Sequence, residues 1–141
     1  MKKFNMLLIA AILFTAFSCE KRQNNKTAEK LDGGWEISRI MKADGEVDEN
    51  SMPQGVTLSS CKVSDGPCDG LWISNNGDTG DFEWTVTEKG TIFTITPVVS
   101  SAPANQATSD LADYKGDYKI NEVDNVQFIV QKGETILEFL K

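Results

Sequence analysis

Side-chain chemistry in this chain is narrowly distributed. Among 141 residues there are three cysteines and no histidine. The missing His removes Ser-His-Asp triads, histidine general bases and the usual zinc sites. Lys2 and Lys3 followed by an apolar run from Phe4 to Phe17 have the shape of a secretory signal, too short for a comfortable transmembrane helix. In an exported chain, the two cysteines beyond Cys19 are expected to pair. Cys61 and Cys68 flank the turn formers Ser64-Asp65-Gly66-Pro67, where neighbouring strand ends come within bridging range. A loop this short stabilises by roughly 2.5 kcal/mol in the chain-entropy model. A redox or nucleophilic role would want a Cys-x-x-Cys spacing or a His neighbour, and the sequence supplies neither. Asn75, Asn76, Asp78 and Asp81 set oxygens on a turn that could attract Ca²⁺. The closing Glu of an EF-hand loop is absent, and turn chemistry accounts for these residues. Glu83 alternates with Phe82 and Trp84, so it points away from the aromatic face as a solvated charge. A non-catalytic protein with no cofactor and no metal is the expectation.

These residues sit on a chain patterned for strands. Asp81 to Thr87 alternates strictly, with Phe82, Trp84 and Val86 on one face. Glu88-Lys89-Gly90 turns it into Thr91 to Thr96, with Gly90 free to take the positive φ of a bulged hairpin. Further strands are read at Trp35–Met41, Val56–Val63, Asp69–Ser74, within Leu111–Ile120, at Val126–Gln131 and at Glu134–Leu140. In the first of these the alternation is imperfect, because it would put Arg39 on the face of Trp35 and Ile37. Pro97 to Asp110 reads as a long loop and no helix is expected after the leader. About eight strands joined by short turns give an all-β, antiparallel up-and-down meander. Closing it into a small barrel removes exposed edges; an open sandwich is the alternative. Eight strands enclose a space just wide enough to fill with side chains or to hold one small ligand. Trp35, Phe82, Trp84 and Phe128 would take up much of it, leaving a small or largely filled cavity.

Leu31-Asp32-Gly33-Gly34-Trp35 opens the first strand. Gly33-Gly34-Trp35 resembles the Gly-x-Trp signature of lipocalins, and more closely the compact lipocalin-like domains of bacterial lipoproteins, over about residues 31 to 141. Asp113-Tyr114, after Ala112, stands where the resemblance would place a Thr-Asp-Tyr motif. The resemblance also leads one to look for an Arg packed over the Trp from the end of the barrel, and the only arginines are Arg22 and Arg39. Ala16-Phe17-Ser18-Cys19 resembles a lipobox without its usual first Leu. That likeness implies a signal peptide over residues 1–18 and a lipidated Cys19, with anchoring made stable by several acyl chains. The alternative is an ordinary signal peptide cut nearby, leaving Cys19 free. Residues 19–30 are polar and read as a flexible tether, averaging roughly 17–20 Å between its ends. Residues 31–141 form the barrel domain.

Formal net charge is −7, and the leader holds Lys2 and Lys3 but no acid, so the remainder has 12 basic and 21 acidic residues, or −9. Such a balance disfavours nucleic acid and a basic patch for anionic lipid. The expected address is the cell envelope of a Gram-negative bacterium, on the outer membrane. Two functions follow. One is a barrel binding a small apolar ligand, with Trp72, Phe82, Trp84, Phe93 and Phe128 as candidate lining and the 97–110 segment over the mouth. The other is a module for a basic protein partner, similar to lysozyme-inhibiting envelope lipoproteins.

Overall fold

The computed structural model describes residues 18–141, so the leader lies outside the described residues. The chain runs through α1 (18–31), β1 (Gly33–Lys42), β2 (Gly45–Glu46), β3 (Gly55–Leu58), β4 (Cys68–Ile73), β5 (Thr79–Thr87), β6 (Ile92–Pro97), α2 (Gln106–Tyr114), β7 (Gly116–Val123), β8 (Gln127–Lys132) and β9 (Thr135–Leu140). Eight strands pair in meander order, and β1 also pairs with β9, which closes the barrel; β2 is a two-residue flap on the far part of β1. Every pairing is antiparallel.

Alternation fixes the interior. Phe82, Trp84 and Val86 of β5, Phe93 and Ile95 of β6, and Leu137 and Phe139 of β9 are all buried. In β1 the register against β9 shifts between Ile37 and Arg39. That bulge carries Ile40 inward and turns Arg39 out, where it pairs with Glu46 and Glu138. The imperfect alternation of the first strand is thereby explained. Cys61 and Cys68 are disulfide-bonded. Strand β3 ends at Leu58, so the bridge joins the β3–β4 loop to the first residue of β4.

Two expectations are corrected. Residues 19–30 are not a flexible tether but most of α1. Asn24, Thr27, Ala28 and Leu31 recur at helical spacing, and Ala28 and Leu31 are buried against the barrel. The rest of the docking is polar. The Gly90 amide donates to Asn24 Oδ1 at 2.7 Å, Asn25 exchanges hydrogen bonds with Ser64, and the Trp35 indole donates to the Leu31 carbonyl at 2.7 Å. Gly90 is seated so closely that a Cβ there would collide with Thr27 Oγ1.

The second correction is α2, within a stretch expected to be loop and strand. A capping box starts it: Asn105 Oδ1 accepts from the Thr108 amide while Thr108 Oγ1 accepts from the Asn105 amide. Ala107, Leu111 and Tyr114 then form a buried stripe three and four residues apart. The strand expected within Leu111–Ile120 follows the helix, from Gly116 to Val123.

The two helices stopper opposite ends. α1 lies by the β3–β4 loop and the β5–β6 turn, whereas α2 packs on β4, β5 and β6 beside the β4–β5 turn.

Candidate functional site

Each candidate lining residue lies in the interior. Trp72, Phe82, Trp84, Phe93 and Phe128 are at most 1% exposed. They share one core and fall into two aromatic groups. Trp35 meets Phe128 edge-on at 4.7 Å, Phe128 stacks on Phe139 at 4.1 Å, and Phe93 joins Phe128 to Trp84. At the other end Trp72 lies edge-on to Phe82 and stacks on Tyr114 of α2 at 5.5 Å. Buried indoles need acceptors. Trp84 donates to the Asp69 carbonyl at 3.0 Å and Trp72 to Asp110 Oδ2 at 3.3 Å. The structure thus brings the five residues into one packed core. Trp72 frames no open mouth; α2 covers it.

Two recesses open elsewhere, and none of these five residues lines either. One, about 700 Å³, is a groove on the outer wall where β1 and β3 part, lined by Glu36, Glu49, Met52 and Gln54 among others. The other, about 360 Å³, lies between β5, α2 and the 97–105 segment. Gly80, Pro97, Val98, Ala102, Pro103 and Leu111 give it an apolar lining. Asn105 and Thr108 on its wall spend their polar atoms on the capping box and on the Thr79 carbonyl. Asp81 stands exposed among the lining residues.

Beside this recess, the oxygens of the β4–β5 turn are committed to structure. Asn76 Oδ1 accepts from Ser74 and from the Asp78 amide, while Asn75 donates to the Asn50 carbonyl. Asp78 Oδ2 accepts from Asn76 and from the Gln106 amide at the start of α2, each at 3.0 Å. The Asn76 hydrogen bond, seconded by that amide, holds the Asp78 carboxyl below its ordinary value of 3.8. A depressed carboxyl contributes stability above its unfolded value and loses it as pH falls through the folded one. Protection of the α2 amides, with the intrinsic pH dependence of exchange divided out, is therefore expected to fall below about pH 4, and Asp78→Asn to remove most of that acid dependence. An unchanged acid response in the variant would contradict the linkage. Tyr114 and Tyr118 are pushed up, chiefly by burial, and Tyr118 donates to the Tyr114 carbonyl at 2.8 Å. Glu83 is half-buried and faces away from Phe82 and Trp84. Among the described residues, no three carboxylate or thiol groups converge as a metal site.

The crystal structure of a lipocalin-like protein from Bacteroides uniformis superposes with a TM-score of 0.51, over 79% of this chain and 98% of that one, at 20% identity. The fold is lipocalin-like. A protein from Bacteroides eggerthii matches over the same shares at 16% identity and a TM-score of 0.48. No protein-family model and no curated protein matches the chain.

In this lipocalin-like barrel the place over Trp35 is not empty of cations. Lys141, the last residue, holds its Nζ 4.7 Å from the Trp35 ring centroid. Its amide donates to the Val126 carbonyl, which fixes the chain end there. Attention to arginine alone missed it, since lysine does the same work with a weaker fit to the ring plane. Lys141→Gln is expected to cost about 0.5–1 kcal/mol in a denaturant titration; no change would reduce the contact to proximity. Asp113-Tyr114 lies on α2, where Tyr114 supports Trp72.

Proposed function

We propose that this chain is a lipid-anchored, non-catalytic lipocalin-like lipoprotein of the Gram-negative outer membrane that binds a small apolar molecule. The ligand sits in the recess beneath the 97–105 segment, outside the packed interior. The observation that carries this is the apolar side of that recess, whose Asn105 and Thr108 side chains are already engaged. Apolar ligand surface leaves water there at roughly 25 cal/mol per Å². Asp78 and Asp81 nearby disfavour a carboxylate head, so a neutral molecule fits better than a fatty acid. An environment-sensitive dye should be displaced more readily by a long-chain alcohol than by the matching fatty acid. Ala102→Trp, which fills the recess, should abolish the dye signal while leaving the circular dichroism unchanged. Dye binding unaffected by Ala102→Trp would place the ligand elsewhere, and no displacement by alcohols, fatty acids, retinoids or haem would remove the binding claim.

A second reading has its own support. Asp44, Glu46, Asp48, Glu49, Asp78 and Asp110 gather at the α2 end, in the β1–β2 turn, β2, the β2–β3 segment, the β4–β5 turn and α2 itself. That concentration suits a basic protein partner. Capture of basic envelope-attacking enzymes that weakens at high salt would favour it.

A further inference from the structure

The outward face of α1 carries its own pattern. Cys19, Arg22, Lys26 and Lys30 are spaced three, four and four residues apart, and all are exposed. That spacing lays them in one stripe along the helix. The opposite face holds Asn24, Thr27, Ala28 and Leu31, which dock on the barrel. Glu29 is the acid beside the stripe, and Lys30 also faces Asp124 of the β7–β8 turn. The rest of the domain is acidic, most of all at the far end. A helix whose cations share a face with the anchoring residue, on an otherwise acidic chain, is complementary to one kind of surface.

We propose that the Arg22-Lys26-Lys30 face of α1 lies on anionic phospholipid headgroups, so that Cys19 and this stripe together fix how the barrel stands on the bilayer. The inference rests on the anchor reading of Cys19. An acyl chain on Cys19 starts from the same side of the helix that bears the cations, so inserting it brings them to the headgroups. Because α1 is docked rather than slack, the orientation passes to the barrel: the α1 end faces the bilayer and the acidic α2 end faces away. Each Lys or Arg near an anionic surface is attracted, and the attraction fades within a Debye length. A net charge of −9 would repel a freely diffusing barrel from such a surface. The anchor supplies the proximity, and the stripe selects the side.

The test uses the full chain made in cells that process lipoproteins, with the mass of the Cys19 peptide measured first. The purified protein is placed on phosphatidylcholine vesicles with and without phosphatidylglycerol. A glutamate-specific protease then reports cutting after Glu29, beside the stripe, against Glu134, in the β8–β9 turn at the other end. Cutting at Glu29 relative to Glu134 should fall at least about fivefold on the anionic vesicles and recover in high salt. The triple variant R22Q/K26Q/K30Q, which keeps both cleavage sites, should show no difference between vesicles. Equal relative cutting of the unsubstituted protein on the two vesicles would overturn the proposal, as would persistence of the protection in the triple variant. An unmodified Cys19 would end the anchor reading alone. The same comparison would then be made with Cys19, the free cysteine of the described residues, coupled to a maleimide lipid, where equal cutting again overturns the stripe.

Discussion

Replacing Trp35 with Ala should cost about 3–5 kcal/mol and is expected to be the most damaging single truncation near the start of the barrel. Trp35 is 3% exposed and meets Phe128 at 4.7 Å. Its indole N–H is the hydrogen bond that ties the end of α1 to β1, and Lys141 covers its ring. Truncation therefore leaves a cavity, strands the Leu31 carbonyl and frees the chain end together. Trp35→Phe keeps most of the ring contact and loses the N–H, so it should cost only about 1–2 kcal/mol. Denaturant midpoints with matched slopes give both values. An Ala variant within about 1 kcal/mol of the parent would show that the core closes up without the Trp35 ring.

The second large effect is expected at Gly70. This buried position on β4 faces the Phe82 ring, and a Cβ placed there would stand 2.5, 2.7 and 2.8 Å from ring atoms Cζ, Cε2 and Cε1. Phe82 is 1% exposed and lies edge-on to Trp72, so its ring has nowhere to swing. Gly70→Ala should destabilise by about 2–3 kcal/mol. Shortening the opposing ring should restore part of this: G70A/F82L is expected to cost less than the two single changes added. Strict additivity would mean that the clash is relieved by backbone movement and not by the ring.

Legibility in the sequence followed the kind of interaction that holds each element. The β5–β6 hairpin could be read because Phe82, Trp84 and Val86 are apolar at every second position, and burial on one face demands no less. Closure could be read from the succession of short strands. α1 could not, because half its docking face is Asn24 and Thr27, and side chains that bind through hydrogen bonds leave no hydropathy signal. α2 was hidden by its length, since nine residues give little more than two turns of pattern. Its capping box was visible in Asn105-x-x-Thr108 had a helix been sought there. The aromatic residues were correctly placed inside. What alternation does not disclose is whether facing rings leave a gap, and that depends on partners from other strands such as Phe139 and from α2 such as Tyr114.

The position of Lys141 bears on how the molecule can be handled. Lys141 sits over Trp35, close to the end of α1, with its amide bonded to the Val126 carbonyl. A reporter or affinity handle joined after Lys141 would emerge at the α1 end of the barrel and crowd the contact between Lys141 and Trp35. The hairpin around Gly133 points the opposite way, with open space about that glycine. It is the better place for a label meant to be seen from outside.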